Sequence, residues 1–396
     1  MGPFCGFPLQ QQKRTLYTAY MAGANFLIKE SDPGTGMLAD YDPLTVDRTD
    51  PRILALQDKG RKYAGPYALV CDEFYENLVR KHDRGTPYSP IALLLDRNHG
   101  FLLHYSLTHT VGNVPYTPAD EQTRAVINTL FPYETRYAAA GPFGEIFDAI
   151  TTEAPAPVIG GYRAIAFVGQ PRVSAELAAV LKRFVEKGGL LFMACEQMTP
   201  ELWSLAGIAD TGQTGKDSAY VRASDFYVYP SGEYEYHRVK LAGAEPLFLA
   251  DSYDDRIWPV ATVNRVGGGG VIVGTPVWLR VTAEPGRMHS LFSEVMTMIA
   301  DELAPVKVQG GEVKVMYNRS RAGWVVTLMN NEGITSAEPG YRPAVRERSA
   351  AGVILRPRFE YSRATEWMTG ERLAGKTDVA LVVPPGEIRI VEFRVK

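Results

Sequence analysis

The sequence predicts an α/β protein with a doubly wound sheet in its middle and a small antiparallel β domain after it. Three observations carry this. Tyr162 to Gln197 reads strand, turn, helix, turn, strand; strand and helix patterns alternate around that stretch; and beyond Pro305 helical periodicity gives way to short strands.

The stretch from Tyr162 to Gln197 sets the frame. Ala164 to Val168 is a short apolar run. Ser174 is placed to cap the following helix, whose Leu177, Val180, Leu181, Phe184 and Val185 fall on one face. Gly188 and Gly189 stop it, and Leu190 to Ala194 forms a second apolar run. Such a βαβ unit places its two strands parallel in a sheet covered by helices. Cys195 then falls where the second strand ends, the edge at which open α/β sheets commonly bind ligands.

Composition narrows the function classes. The 396 residues give a prior of about two or three domains, and 45% hydrophobic with 22% charged residues is ordinary globular material. A net charge of -3 and a pI near 6.1 give no global electrostatic reason to expect nucleic acid or an anionic membrane as partner. Cys5, Cys71 and Cys195 are too few and too scattered for a disulfide framework or a structural zinc site, so no metal or other cofactor is expected. Sparse cysteine fits a reducing compartment, so the chain reads as cytoplasmic, or as a mature form stripped of its signal. Met1 to Pro8 lacks the pattern of a signal peptide, and no run approaches the roughly 20 apolar residues of a membrane span. The 21 Tyr and 5 Trp suit surfaces that stack on sugars or partners, although barrels and sandwiches bury such residues too.

In chain order, Gln10 to Gly23 reads as a helix with Leu16, Tyr17 and Tyr20 on one side, and Ala24 to Lys29 as a short strand ending at Glu30, Ser31 and Asp32. Helical patterns run from Ile53 to about Lys81, interrupted by Pro66, and the turn-rich Asp83 to Pro90 marks a boundary. Pro90 to Leu95 is an apolar strand ending in Asp96, Arg97, Asn98 and His99. Thr117 and Pro118 then start a helix reaching about Leu130. Val260 to Val266 and Val271 to Gly274 are strands joined by Gly267 to Gly270. Met288 to Leu303 is an amphipathic helix with Leu291, Val295, Met298, Ile299 and Glu302 on its stripe. Thereafter Val313, Val315 and Tyr317 alternate, and Trp324 to Met329, Val379 to Val383 and Ile388 to Val395 are further strands.

The order of these parts resembles a known family. TLYTAYMAGANFLIKES is similar to the final strand-helix region of a glycosidase (β/α)8 barrel. SPIALLLDRNHG, GYRAIAFVG and LKRFVEKGGLLFMA resemble the glutamine-amidotransferase-like, flavodoxin-like domain that follows the barrel in β-galactosidases with a trimerisation domain. VNRVGGGGVIVG and GWVVTLMNNEG resemble the end of that domain and the terminal β-sandwich. The resemblance implies a barrel end at 1–88, an amidotransferase-like domain at 89–306 and a β-sandwich at 307–396. It also implies hydrolysis of a glycosidic bond in a carbohydrate. Retaining glycosidases of that kind use two glutamates roughly 5–5.5 Å apart, at the ends of the fourth and seventh barrel strands. If Ala24 to Lys29 corresponds to the eighth, neither glutamate has a counterpart here. The expectation is a carboxy-terminal portion, or a shortened relative with the usual pair lost or replaced. A partial barrel would expose a sheet edge, which predicts a homo-oligomer, dimer or trimer, or a partner chain completing the barrel.

Local constellations supply the candidate site residues. Glu30 and Asp32, two apart at a strand end, can act as an acid/base or nucleophile pair, because close carboxylates push one pKa upward; the same residues can cap a turn or bind sugar hydroxyls. Asp96, Arg97 and His99 form a polar rim suited to substrate, or an ion pair that holds its loop. Cys195 matches the place of an amidotransferase nucleophile, and a cysteine-dependent hydrolase or amidase is the alternative activity. Glu196 and Gln197, however, stand where the sharp turn of a nucleophile elbow wants small residues, and a buried inert cysteine is the competing reading. A non-catalytic oligomerisation or sugar-binding module is the further alternative. His104 and His109, without a nearby third ligand, make a poor metal site. Gly267 to Gly270 lacks the Lys and Ser/Thr of a phosphate loop and reads as a hairpin turn. Asn318 to Ser320 forms a glycosylation sequon, without meaning in a cytoplasmic setting.

Overall fold

The computed structural model describes residues 9–24, 49, 51, 54–55, 70–71, 73–96, 144–218, 220–222, 227–228, 233–251, 257–279, 290–333 and 346–396. The chain divides into two compact units, one comprising Met1–Tyr88, Glu134–Ala140 and Pro305–Lys396, the other Ser89–Tyr133 and Gly141–Ala304. The first unit opens with helix α1 (Leu9–Met21) and a two-residue strand β1 (Thr86–Pro87). Among the described residues the protein is mixed α/β, with more strand than helix.

The second unit is built on a 9-stranded sheet. Its elements in order are β2 (Ile91–Leu95), β3 (Phe147–Thr151), α2 (Ala156–Ile159), β4 (Ala164–Phe167), α3 (Ala175–Glu186), β5 (Leu190–Ala194), α4 (Pro200–Leu205), β6 (Ile208–Asp217), β7 (Tyr220–Arg222), β8 (Tyr227–Val228), β9 (Tyr234–Leu241), β10 (Glu245–Asp251), β11 (Ile257–Val266), β12 (Gly269–Gly274) and α5 (Ser290–Leu303). The sheet order is β3-β2-β4-β5-β12-β11-β10-β7-β8. From β3 to β12 neighbouring strands are parallel, and the extension from β11 outward is antiparallel. The parallel part therefore has the order 2-1-3-4-5 of doubly wound sheets, whose chain direction reverses beside β2. β6 and β9 pair separately as a two-stranded ribbon.

The predicted βαβ unit is present, with its first strand ending one residue short of Val168, at Phe167. The Ser174 hydroxyl accepts a hydrogen bond from the Leu177 amide at 3.2 Å and caps α3. Gly188, at φ 102°, ends the helix in a backbone conformation that costs a side chain energy. Side chains alternate strictly across the sheet. Ile165, Phe167, Leu191, Met193, Val271 and Val273 share one core with Leu177, Leu181 and Val185 of α3. The opposite face meets α5, where Phe192 packs on Phe292 with ring centroids 5.7 Å apart. Each such fully buried large side chain contributes about 1.5–3 kcal/mol. The α5 stripe needs correction at two positions, Met298 and Glu302, the latter exposed at the end of the helix. Leu291, Val295 and Ile299 are buried, but Met298 is 43% exposed, and Phe292 and Met296 supply the rest of the apolar face.

The tight turn between β11 and β12 is the predicted hairpin, but only Gly267 and Gly268 form it, Gly269 and Gly270 belonging to β12. The run is glycine for a second reason. A Cβ on Gly269 would lie 2.4 Å from the Gly189 carbonyl oxygen and 2.5 Å from that of Val185, so β12 can enter the sheet beside β5 only without a side chain there.

The first unit continues with β13 (Val306–Gly310), β14 (Lys314–Arg319), β15 (Gly323–Met329), β16 (Ala351–Pro357), β17 (Tyr361–Glu366), β18 (Arg372–Leu373), β19 (Val379–Val383) and β20 (Ile388–Val395). These make two antiparallel sheets, β1-β14-β15-β20-β17-β18 and β13-β16-β19. The Tyr317 hydroxyl of β14 donates to the Val306 carbonyl of β13 at 2.6 Å and links one sheet to the other. β14 departs from the expected alternation, because Lys314, Met316 and Asn318 are buried as well as Val315 and Tyr317. The reason is α1. Its Leu16, Tyr17 and Met21 cover the other face of the sheet over Met316, Val325, Met329, Ile388 and Ile390. Arg84 finishes that helix by donating to the carbonyl oxygens of Tyr20, Gly23 and Ala24, where a cation also suits the helix dipole. Thr86 and Pro87, within the stretch read as turn, pair with Arg319 and Asn318.

A candidate functional site at the carboxyl rim of the parallel strands

The carboxyl ends of β2, β4, β5 and β12 lie along one edge of the sheet, where doubly wound folds place their ligands. Asp96 follows β2 there, partly buried. Its predicted companions Arg97 and His99 lie outside the described residues, as do Glu30, Asp32, His104, His109 and the helix expected from Thr117.

After β5 the chain makes a single 3-10 turn, Cys195–Gln197. Cys195 is 4% exposed and belongs to the apolar core. Burial first, then the negative charges of Glu196 and Asp210, raise its thiol well above the ordinary cysteine range. A nucleophilic cysteine requires the opposite, a stabilised thiolate on a strained turn. Among the described residues other than glycine, only Trp278 and Leu279 have positive φ, so Cys195 occupies no such elbow. Gln197 explains the turn. Its Oε1 accepts from the Ala194 amide at 2.8 Å, and its Nε2 donates to the Gly169 carbonyl at 2.9 Å, which ties the end of β5 to the end of β4.

Glu196 gathers the rim. Its Oε1 accepts from His237 Nε2 at 3.0 Å and from the Trp278 amide at 2.8 Å, while Oε2 is buried without a hydrogen-bond partner among the described residues. A carboxylate can only accept, so the imidazole proton sits on Nε2. His237 reaches the rim because β9 docks on the end of β12. The Tyr236 backbone bridges Pro276, and the His237 amide donates to the Thr275 carbonyl at 2.9 Å. The two side chains are 13% and 23% exposed. The bond to Glu196 raises the His237 pKa, against the lowering effect of burial, and the charges of Glu196, Asp210 and Glu235 add to the rise. Sequence reading missed this pair. Glu196 was visible only as an unsuitable neighbour of Cys195, and His237 lies 41 residues further on, within strand β9 of the β6–β9 ribbon.

Among the described residues, several aromatic side chains are spent on packing. Tyr236 stacks on Trp258 at 3.6 Å with an interplanar angle of 8°, and Tyr234 and Tyr236 are both buried. Asn318 of the sequon is wholly buried, and its amide donates to the Met21 carbonyl at 2.8 Å, so it is no acceptor for a glycan in the folded chain. Among the described residues no group of three or more His, Cys, Asp or Glu side chains is placed to hold a metal ion, and no helix is long and apolar enough to cross a membrane.

No protein-family model matches the sequence, and no curated protein matches it. Solved structures do share its fold. α-L-Fucosidase isoenzyme 2 from Paenibacillus thiaminolyticus superposes with a TM-score of 0.56 at 14% identity, over 99% of this chain and 58% of that one. A catalytic mutant of Gan42B, a GH42 β-galactosidase from G. stearothermophilus, matches 88% of this chain and 44% of its own at a TM-score of 0.45 and 17% identity. A β-galactosidase from Bacillus circulans sp. alkalophilus matches 83% and 45% at 0.48 and 14%. The chain thus spans about half the length of the solved structures it matches.

Proposed function

We propose that this chain is a carbohydrate-related protein of glycoside-hydrolase type, acting on a glycosidic bond. The observation that carries the reading is the likeness of fold, over 99% of the chain, to a fucosidase. In this reading 1–88 is a barrel end, 89–306 an amidotransferase-like domain and 307–396 a β-sandwich. The latter two are scaffold. Glu30 and Asp32 carry the acid/base chemistry, and Asp96, Arg97 and His99 bind sugar hydroxyls. The protein is cytoplasmic and works as a homo-oligomer or with a partner chain that completes the barrel.

The test is turnover of a panel of aryl glycosides by the wild-type chain and by Glu30→Gln and Asp32→Asn. Removing a general acid or base is expected to cost roughly 10²–10⁴-fold. Unchanged turnover in both variants overturns the site assignment.

A second reading, a non-catalytic sugar-binding or assembly module, is favoured by the employment of Glu366 and Glu196. Glu366 is 2% exposed, and its oxygens accept from Met368 N, Thr369 N, Thr369 Oγ1 and Ile390 N, a structural role. Glycan binding without turnover distinguishes this reading. The cysteine-hydrolase alternative has the burial and raised pKa of Cys195 against it.

A further inference from the structure

Glu196 joins three segments that meet nowhere in sequence: the turn after β5, strand β9 through His237, and the Val277–Leu279 turn after β12. The last of these is strained. Trp278 (φ 50°, ψ 34°) and Leu279 (φ 62°) are successive non-glycine residues in the left-handed region, a conformation that persists only where its surroundings impose it. The bond from the Trp278 amide to Glu196 Oε1 is such an imposition. Leu279, 5% exposed, is the other anchor, since its side chain fills the space a Cβ on Gly274 would occupy.

The anchor itself is electrostatically exacting. Glu196 Oε1 takes both donors, Oε2 is buried without a partner, and a buried carboxylate whose counter-charge is withdrawn is costly. The groups acting on His237 are all acidic: Glu196 from the turn after β5, Asp210 from β6 and Glu235 from its own strand. Thr214 sits opposite it on β6.

We propose that Glu196 is the centre of a pH-sensitive latch, in which protonated His237 fixes the carboxylate that holds the left-handed Trp278–Leu279 turn, and neutral His237 loosens it. The sign follows from the direction of the perturbation. The folded pKa of His237 is raised above its unfolded value, so the bridge contributes fully below about pH 6.5 and is lost as pH rises through the folded value. Neutral imidazole still donates through Nε2, but the charge assistance is gone. The rim where this sheet type binds ligands is then more mobile on the alkaline side.

Hydrogen exchange at the Trp278 amide, followed from pH 5 to pH 9 and corrected for intrinsic exchange, tests the latch. The wild-type chain is expected to hold a plateau of protection at acid pH and to lose it across the titration of His237, read in parallel from its imidazole resonances. His237→Gln, a neutral donor, should flatten that dependence at the lower level, and Glu196→Gln should lower protection at every pH. Protection that ignores pH, or a step that survives in His237→Gln, overturns the proposal. Should His237→Gln fold poorly by circular dichroism, coincidence of the wild-type step with the His237 titration decides alone.

Discussion

Glu366 shows what single polar residues do in the antiparallel unit. It satisfies the amides of Met368 and Thr369 in the turn after β17 and the amide of Ile390 in β20, all with one carboxylate. Glu366→Ala should strand those donors and cost about 3 kcal/mol, read as a shift in the urea midpoint of the unit that holds it. Cysteines give the second prediction at this scale. Cys71 is exposed and Cys195 buried with a raised pKa, so brief iodoacetamide treatment of the folded chain at neutral pH should alkylate Cys71 and leave Cys195 unmodified in a peptide map. Rapid modification of Cys195 would restore the nucleophile reading.

Elements were legible in the sequence wherever their signals were local. The β4-α3-β5 unit announced itself through two apolar runs, a serine cap and a glycine stop, each acting within a few residues. β1 did not, because two residues with a proline become a strand only by pairing with Asn318 and Arg319 far along the chain. The β6–β9 ribbon was missed for another reason. Most β6 side chains are exposed, so no apolar alternation marks it. The candidate site depends on that ribbon, and the Glu196–His237 pair stayed hidden with it. Where α3, β5 and β12 meet, Gly269→Ala would press a methyl group onto two backbone carbonyls that have no free side chain to yield. We expect a loss of about 2–4 kcal/mol in denaturant unfolding of the α/β unit, above the roughly 1 kcal/mol cost of Gly212→Ala, where a methyl group meets open space but φ is +69°.

At the scale of the whole molecule, the two units should answer pH with opposite signs. In the first, His82 stacks on Trp367 at 4.3 Å, and burial lowers its pKa against the raising effects of Glu392 and Glu366. Its contribution is present above about pH 6.5 and is lost as pH falls through the depressed folded value. Exchange protection around β17 and β20 should therefore decline on acidification, and His82→Asn should blunt the decline. His237 in the second unit runs the other way. Neither response identifies a substrate, and the role proposed for the chain rests on its likeness of fold to a glycosidase. Binding of the wild-type chain to a glycan array is the most direct test of that claim. Saturable binding confined to a set of related glycans is the predicted result; an array with no glycan bound above background, together with no turnover of any aryl glycoside, would contradict it.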